Sequence, residues 1–438
     1  MNFAANLRRR AALGNPVRVG LIGVGKFGSM FLSQALRTPG LLLAGIADLA
    51  PARARAAIEQ VGGDPSSVPI TEDAETLIAT DGLELVVDAT GDPAAGIRHV
   101  RLCCRYGRHI VMVNVEADAL AGPLLAREAA QAGIVYSLAY GDQPALIAEQ
   151  VDWARAAGFE VICAGKGTRY LPAYHASTPE TVWPLYGLSA EEAERGGLNP
   201  KMFNSFLDGT KSAIEMAAVA NATGLTPAPG GLDFPPCSID DLPRVCRPRA
   251  SGGELAHAGT VEVVSSLERD GRPVERDLRW GVYVTFEAPS EYVRRCFREY
   301  GLRTDESGRY AALYRPYHLI GLELGISVAS VALRGEPTGC PTGFRGDVVA
   351  VAKRPLAAGE ILDGEGGYTV YGHLMRAADS LRLGGLPIGL AHGARLCRPV
   401  AAGEPVRWVD VSLDASSEVV ACRRAMEALF RSSPGPSA

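Results

Sequence analysis

The sequence predicts an α/β protein made of an N-terminal Rossmann domain with a doubly wound parallel sheet, an α+β substrate and dimerisation domain, and a small β-rich C-terminal domain. Two observations support this prediction. Apolar runs rich in β-branched residues alternate with segments of helical periodicity over residues 17–138, a pattern typical of a parallel sheet covered by helices on both faces. A glycine motif at Gly23, Gly25 and Gly28 joins the first strand to the first helix.

Length, charge and composition narrow the class of protein. The chain has 438 residues and a net charge of −5, which argues against a nucleic-acid partner bound through its phosphates. Nine scattered cysteines without a C-x-x-C spacing fit reduced thiols in a cytoplasmic enzyme. The longest apolar stretch, residues 319–333, is interrupted by Glu323 and is too short to cross a bilayer. We therefore expect a cytoplasmic protein without a membrane partner.

Changes in composition divide the chain into domains. The stretch 335–343 is rich in glycine and proline, and the end of the chain is rich in serine and proline, as linkers and disordered tails are. The predicted parts are an N-terminal extension at 1–15, an NAD(P)-binding domain at 16–145, a substrate and dimerisation domain at 146–335, a third domain at 344–431 and a disordered tail at 432–438.

Five strands and five helices are predicted in the first 140 residues. Each strand is a short apolar run, and each helix carries apolar residues at helical spacing. The first helix belongs to the extension, and the third begins at Pro51, a residue suited to a first helical turn. The strands are 17–22, 41–47, 83–88, 109–113 and 134–138, and the helices are 6–13, 27–36, 51–61, 94–106 and 120–132.

The glycine motif predicts a dinucleotide-binding turn. Gly23 permits the tight turn, Gly25 lets a diphosphate approach the backbone, and Gly28 lets the helix pack against the strand. The helix opens at Lys26 and Phe27, where free N–H groups and the helix dipole favour phosphate. The predicted cofactor is NAD(H) or NADP(H), and the alternative is a tight turn that binds no ligand.

Asp48 ends the second predicted strand. A carboxylate at this place accepts hydrogen bonds from the ribose hydroxyl of NAD. Arg53 and Arg55 follow closely and could bind the 2′-phosphate of NADP instead. A third interpretation makes Asp48 a cap for the next helix. The choice between NAD and NADP therefore stays open.

Polar side chains follow the later strands of the first domain. Ligands of open α/β sheets bind outside the carboxyl ends of the strands, so we expect Thr90, Gly91 and Asn114 to line the nicotinamide side of the cofactor site. Glu116 and Asp142 lie in the same class of loop. They are candidate acid–base groups or ligands of a divalent metal. Ordinary loop polarity would account for part of this pattern.

The second domain contains a lysine between two glycines, in the sequence Gly165-Lys-Gly-Thr-Arg169. Following a predicted strand at 159–164, it is expected to form a turn in which Lys166 and Arg169 hold an anionic group. The alternative is a solvated turn. Further along, the segments 260–267 and 277–287 read as two β-strands joined by a turn at 269–272.

A predicted helix at 210–222 carries the candidate proton donor. Asp208 can cap this helix, and Lys211 and Glu215 lie one turn apart on one face. The alternative is a surface ion pair, but the helix has little polar surface. A lysine at the start of a buried helix near two acids suits proton donation. Asn204, just before it, is a candidate substrate ligand.

The C-terminal part contains two similar phrases, Lys353–Glu360 and Val400–Asp410, which resemble the SAF pattern. With this pattern, the chain resembles homoserine-dehydrogenase-like oxidoreductases that end in an SAF domain. Within that group it looks like the deoxyxylulose-phosphate reductoisomerase-like branch of isoprenoid precursor synthesis. The stretches concerned are 20–39, 111–116, 139–144, 165–175, 200–221 and 343–350. The resemblance implies a homodimer, a nicotinamide cofactor and a small-molecule substrate.

One departure from homoserine dehydrogenases affects the expected substrate. Those enzymes have a lysine directly after the asparagine that matches Asn114, whereas this chain has Val115. Their second lysine opens a helix after an aspartate, as Lys211 follows Asp208. A divalent metal or Lys166 could supply the missing charge. We expect reduction of a phosphorylated carbonyl, with Lys211 as proton donor. Homoserine or polyol dehydrogenase activity and a nicotinamide-dependent sensor are the alternatives.

Overall fold

The computed structural model describes residues 2–414 and 416–431, so the predicted tail at 432–438 lies outside the described residues. The chain divides into two compact units. The first contains the residues up to Glu149 together with His318–Thr342, and the second contains Gln150–Tyr317 and the residues from Gly343 onwards. Both the predicted second and third domains contribute to the second unit.

The first unit is built on a six-stranded parallel sheet in the order β3-β2-β1-β4-β5-β6. This is the strand order of a dinucleotide-binding Rossmann fold, and it confirms the predicted doubly wound α/β architecture. The two-residue edge strand β3 was not predicted, because its apolar pattern is too short to detect. The strands are β1 (Val17–Ile22), β2 (Leu41–Ala47), β3 (Ile70–Thr71), β4 (Leu85–Asp88), β5 (His109–Met112) and β6 (Tyr136–Leu138).

Helices cover the sheet of the first unit. The N-terminal helix is part of this unit, because its Phe3 and Leu7 are buried in the same core as Val19. The helices are α1 (Phe3–Ala12), α2 (Lys26–Ala35), α3 (Pro51–Gln60), α4 (Ala74–Ile78), α5 (Pro93–Tyr106) and α6 (Val115–Gln131). The next helix, α7 (Gln143–Ala156), contains the boundary between the two units.

Residues 318–342 return to the first unit, which differs from the domain boundary predicted at 335. Their helix, α14 (Gly325–Arg334), buries Val328 and Val331 in the core that contains Val19. Burying an apolar helix face stabilises the folded protein wherever the burial occurs. The position of the helix in the sequence therefore does not determine which sheet it packs against. Among the described residues, no helix combines the length and apolar character needed to cross a bilayer.

The second unit contains a mixed four-stranded sheet in the order β10-β9-β7-β8. The hairpin predicted from 260–267 and 277–287 is wrong, because β7 lies between the two strands and pairs with β8 in parallel and with β9 in antiparallel orientation. The strands are β7 (Glu160–Thr168), β8 (Thr260–Ser265), β9 (Val282–Glu287) and β10 (Tyr310–Arg315).

The turn predicted at 165–169 is also wrong, since β7 continues through Thr168. The two glycines have a packing role in this strand. A Cβ atom on Gly165 would lie 1.7 Å from the carbonyl oxygen of Glu262, and one on Gly167 would lie 2.0 Å from that of Leu278. The glycines therefore allow close approach of neighbouring backbone, and Lys166 is a strand residue.

The remaining elements of the second unit are short helices and the C-terminal strands. Two antiparallel pairs, β11–β12 and β13–β14, form the β-rich C-terminal part. The helices before it are α8 (Val182–Tyr186), α9 (Ala190–Arg195), α10 (Pro200–Leu207), α11 (Thr210–Thr223), α12 (Leu242–Val245) and α13 (Glu291–Glu299). The C-terminal elements are β11 (Gly346–Ala352), β12 (Val370–Arg376), α15 (Ala377–Leu383), β13 (Arg395–Leu396), β14 (Val411–Ser412) and α16 (Glu418–Arg431).

A buried carboxyl group on α6 makes the stability of the first unit dependent on pH. Asp118 is fully buried, and its Oδ1 accepts a hydrogen bond of 2.7 Å from the Tyr136 hydroxyl. Burial raises the pKa of Asp118 from 3.8 to about 7, although the bond from Tyr136 lowers it. The folded protein therefore keeps a proton that the unfolded chain releases between these two pH values.

We predict that Asp118→Asn increases the free energy of unfolding relative to the wild type, and that this difference grows as the pH rises from about 4 to about 7. The wild type loses stability over that interval, because the folded state must keep the buried carboxyl protonated. Urea unfolding at pH 4.5, 6, 7 and 8 measures the effect. The exposed Asp81→Asn variant is the control. A difference that does not change with pH would contradict the prediction.

Candidate functional site

The glycine turn between β1 and α2 has room for a phosphate group. Gly23 has φ +86°, which a residue with a side chain rarely adopts. A Cβ atom on Gly28 would lie 2.3 Å from the carbonyl oxygen of Gly23, whereas one on Gly25 would have nothing within 4 Å. Gly28 is thus required for packing, and Gly25 borders open space beside the helix start at Lys26 and Phe27. An NAD(P) diphosphate fits this arrangement.

The Asp48 carboxylate holds the glycine turn in place through hydrogen bonds. Its Oδ2 accepts a hydrogen bond of 2.7 Å from the Val24 amide, and its Oδ1 accepts one of 2.8 Å from the Ala50 amide. The Arg53 guanidinium forms an ion pair with Asp48, with 2.7 Å between its nitrogen and Oδ1. The Arg53 side chain is 58% exposed, whereas the Asp48 side chain is fully buried. Arg53 therefore places a positive charge on the surface beside the glycine turn.

A polar network joins the ends of β4 and β5. The Thr90 hydroxyl donates to Asp88 over 2.6 Å and accepts from the Asn114 amide over 3.0 Å. Asn114 also caps α6 by accepting from the Ala117 amide over 3.0 Å. A Cβ atom on Gly91 would meet nothing within 4 Å. Thr90 and Asn114 thus fix the strand ends, and Gly91 leaves space beside them.

The predicted metal ligands lie on α6 and directly before α7. Glu116 lies in the first turn of α6, and the Asp142 carboxylate is buried and accepts from the Gln143 amide over 2.8 Å. Within the described part of the chain, no group of three or more histidine, cysteine, aspartate or glutamate side chains is arranged to hold a metal ion.

Lys166 occupies a different environment from the predicted one. Its side chain is buried, 8% exposed, and forms an ion pair with Glu215 on α11, whose side chain is 6% exposed. Because β7 and α11 pack together, a lysine and a glutamate far apart in the sequence meet inside the unit. This placement corrects the expectation that Lys166 projects from a turn to bind an anion.

A second buried ion pair holds the start of α11. The Lys353 ammonium lies 2.8 Å from Asp208 Oδ2, and the two side chains are 2% and 0% exposed. Lys353 also donates to the carbonyl oxygens of Ser177 and Gly367, each over 2.7 Å. Burial raises the pKa of Asp208 while Lys353 lowers it. Asp208 Oδ1 accepts from the Thr210 amide over 2.9 Å, next to the half-buried Lys211.

A histidine packs against the same corner. His175 lies 2.7 Å through Nδ1 from the carbonyl oxygen of Asp208 and 2.8 Å through Nε2 from the Tyr170 hydroxyl. Its ring stacks on Tyr371 at 4.3 Å. Burial lowers the pKa of His175, so the ring is neutral near pH 7. Neither His175 nor Lys353 was predicted as a site residue, although Lys353 opens the phrase that resembles the SAF pattern.

The two remaining predicted substrate ligands, Asn204 and Arg169, differ in how far the protein itself uses their hydrogen-bond donors. Asn204 is buried, and its amide donates to the carbonyl oxygens of Ser177 and Gly366 over 3.1 and 2.9 Å. Arg169 is half-buried, and its Nε donates to the carbonyl oxygen of Leu185 over 3.2 Å. Asn204 therefore joins chain segments, whereas the terminal nitrogens of Arg169 donate to no protein group in the described part of the chain.

Two family models match separate parts of the chain after residue 140. Residues 141–324 match the family described as "Oxidoreductase DRL, catalytic domain", and residues 347–412 match the SAF domain. The SAF match confirms the resemblance seen in the repeated phrases. No curated protein matches the sequence significantly.

Solved structures share parts of the chain at low identity. Scyllo-inositol dehydrogenase from Lactobacillus casei, with NAD(H) and scyllo-inositol, is 14% identical over 36% of this chain and 47% of its own, with a TM-score of 0.27. Homoserine dehydrogenase from Thiobacillus denitrificans is 20% identical over 48% of this chain and 50% of its own, with a TM-score of 0.37. The chain spans about half the length of the solved structures it matches.

We predict that Gly25→Ala abolishes NADPH and NADH binding, measured by calorimetry, while the melting temperature stays within a few degrees of the wild type. The added methyl group meets no protein atom and fills the space expected for the diphosphate. Gly28→Ala is the matched control, because its methyl group collides with the Gly23 carbonyl and should lower the melting temperature. Unchanged cofactor binding in Gly25→Ala would contradict the prediction.

We predict that Lys353→Met lowers the free energy of unfolding by about 3–5 kcal/mol, because it leaves Asp208 buried without its counter-charge. The double variant Lys353→Met/Asp208→Asn should recover part of this loss. Arg382→Met, which breaks the exposed pair with Asp379 at 2.8 Å, is the control and should cost less than about 1 kcal/mol. Urea unfolding measures all three, and a loss in Lys353→Met as small as the control's would refute the prediction.

Proposed function

We propose that the chain is an NAD(P)H-dependent oxidoreductase that reduces a small, polar, phosphorylated carbonyl compound. The open space at Gly25, beside the start of α2 in a sheet of Rossmann strand order, is the observation that carries this proposal. The match of residues 141–324 to an oxidoreductase catalytic domain supports it. When bound, the cofactor supplies the hydride.

We further propose that the cofactor is NADP(H). Both Asp48 oxygens already accept hydrogen bonds from protein groups, so they are less able to bind a ribose hydroxyl. Arg53 is the exposed group at this place, and a guanidinium favours a 2′-phosphate. Calorimetry with NADPH and NADH tests the preference, and tighter binding of NADH would overturn it.

The proton donor in this proposal is Lys211. Its position in the first turn of α11 is set by Asp208, which is itself held by Lys353. Lys211 would donate a proton to the alkoxide oxygen as it forms. The neutral His175 is hydrogen-bonded through Nδ1 to the backbone carbonyl oxygen of Asp208.

For the substrate, we propose a deoxyxylulose-phosphate-like ketose that is rearranged and then reduced. The support is the sequence resemblance to the reductoisomerase-like branch and the DRL family match. One alternative is a different reaction, the oxidation of homoserine. The other alternative is a different class of protein, a nicotinamide-dependent sensor that catalyses no reaction.

We predict that Lys211→Met lowers kcat by about 100-fold or more while NADPH affinity stays unchanged, because only the proton transfer is removed. NADPH oxidation with deoxyxylulose phosphate measures turnover, and NAD(P)+ reduction with homoserine tests the rival reaction. Lys211→Arg keeps the charge and serves as the comparison. Full activity in Lys211→Met would remove this residue from the mechanism, and cofactor binding without turnover on either substrate would favour a sensor.

A further inference from the structure

Two arginines of the second unit approach the end of α8 from different elements. Arg169 directly follows β7, and its Nε donates to the carbonyl oxygen of Leu185 over 3.2 Å. Arg279 precedes β9, and its guanidinium lies 5.7 Å from the ring centre of Tyr186, the next residue. The ring of Trp280 lies 4.6 Å from the same guanidinium. Both guanidinium groups thus border one small region.

Neither guanidinium contacts a carboxylate of the described residues directly, although the nearby Asp277 acts on the charge of Arg279. In the part of the chain that the structure describes, no acidic side chain lies within ion-pair distance of either guanidinium. The Asp277 carboxylate is engaged by the backbone amide of Arg279 over 2.6 Å. This differs from exposed arginines nearby, such as Arg272, which pairs with Asp270 at 2.8 Å. Two half-buried guanidinium groups without an ion-pair partner in the described chain leave hydrogen-bond donors that an anion between them can use.

The local electrostatics agree with the geometry. Burial lowers the pKa of Arg279 and the neighbouring Arg169 lowers it further, whereas Tyr186 and Asp277 raise it. Burial raises the pKa of Tyr186 to about 12, although both arginines lower it. Its hydroxyl therefore keeps its proton at neutral pH and can donate a hydrogen bond.

We propose that Arg169, Arg279 and the Tyr186 hydroxyl form the subsite that binds the phosphate monoester of the substrate. This inference rests on the proposed function and specifies which residues recognise the anionic group. Phosphate fits because guanidinium groups donate paired hydrogen bonds to its oxygens, and because one dianion can neutralise two arginines. Arg279 thereby takes the anion-binding role that was predicted for Lys166.

Calorimetric titration with inorganic phosphate, at low ionic strength and in the full-length protein, tests the subsite without turnover. Arg169→Met and Arg279→Met should each weaken phosphate binding about tenfold or more. Arg272→Met is the matched control and should bind as the wild type does. Arg279→Lys should fall between, since it keeps the charge but loses the planar donor pair. NADPH affinity checks that each variant is folded. Equal phosphate affinity in Arg279→Met and Arg272→Met would overturn the proposal.

A kinetic arm separates a substrate phosphate from free phosphate. With deoxyxylulose phosphate, Arg279→Met should raise KM about tenfold or more, and inorganic phosphate should compete with the substrate. With the dephosphorylated sugar, the variant and the wild type should not differ. Non-competitive inhibition would overturn the substrate role. If both arginines are needed to bind phosphate but no carbonyl compound is reduced, the subsite stands and the proposed function fails.

Discussion

The ion pair between Lys353 and Asp208 is the interaction on which the candidate site of the second unit depends. Removing two charges from water costs several kcal/mol for each ion, and further hydrogen bonds to Lys353 and to Oδ1 of Asp208 offset part of that cost. Two carbonyl oxygens accept from Lys353, and the Thr210 amide donates to Asp208. The pair therefore fixes the first turn of α11 to the end of β11, which Lys353 directly follows.

This arrangement gives the SAF part of the chain an architectural role. Lys353 directly follows β11, and the Ser177 carbonyl that it binds belongs to a segment nearly 180 residues earlier in the chain. Gly372 of β12 donates its amide to the Thr210 hydroxyl over 2.8 Å. The C-terminal strands thus hold the start of the helix that carries Lys211. Substitutions in the SAF domain could therefore shift the candidate proton donor without contacting it.

In the first unit, too, a buried carboxylate is held by several hydrogen bonds and one ion pair. Asp48 uses its carboxylate to hold the glycine turn, and Arg53 covers that carboxylate and presents its own charge to solvent. Asp48, which the motif predicts as the ligand of the ribose, therefore stabilises the glycine turn in this structure. The open space remains at Gly25, where the backbone itself offers donors.

The sequence by itself determined the Rossmann architecture, the glycine turn and the SAF domain, because strand and helix periods and turn glycines are written in neighbouring residues. Only the tertiary structure decided the partners of the charged side chains. Glu215 pairs with Lys166 across 49 residues, and Asp208 pairs with Lys353 from the C-terminal part. Such pairs depend on which elements pack together, and local spacing does not record that packing.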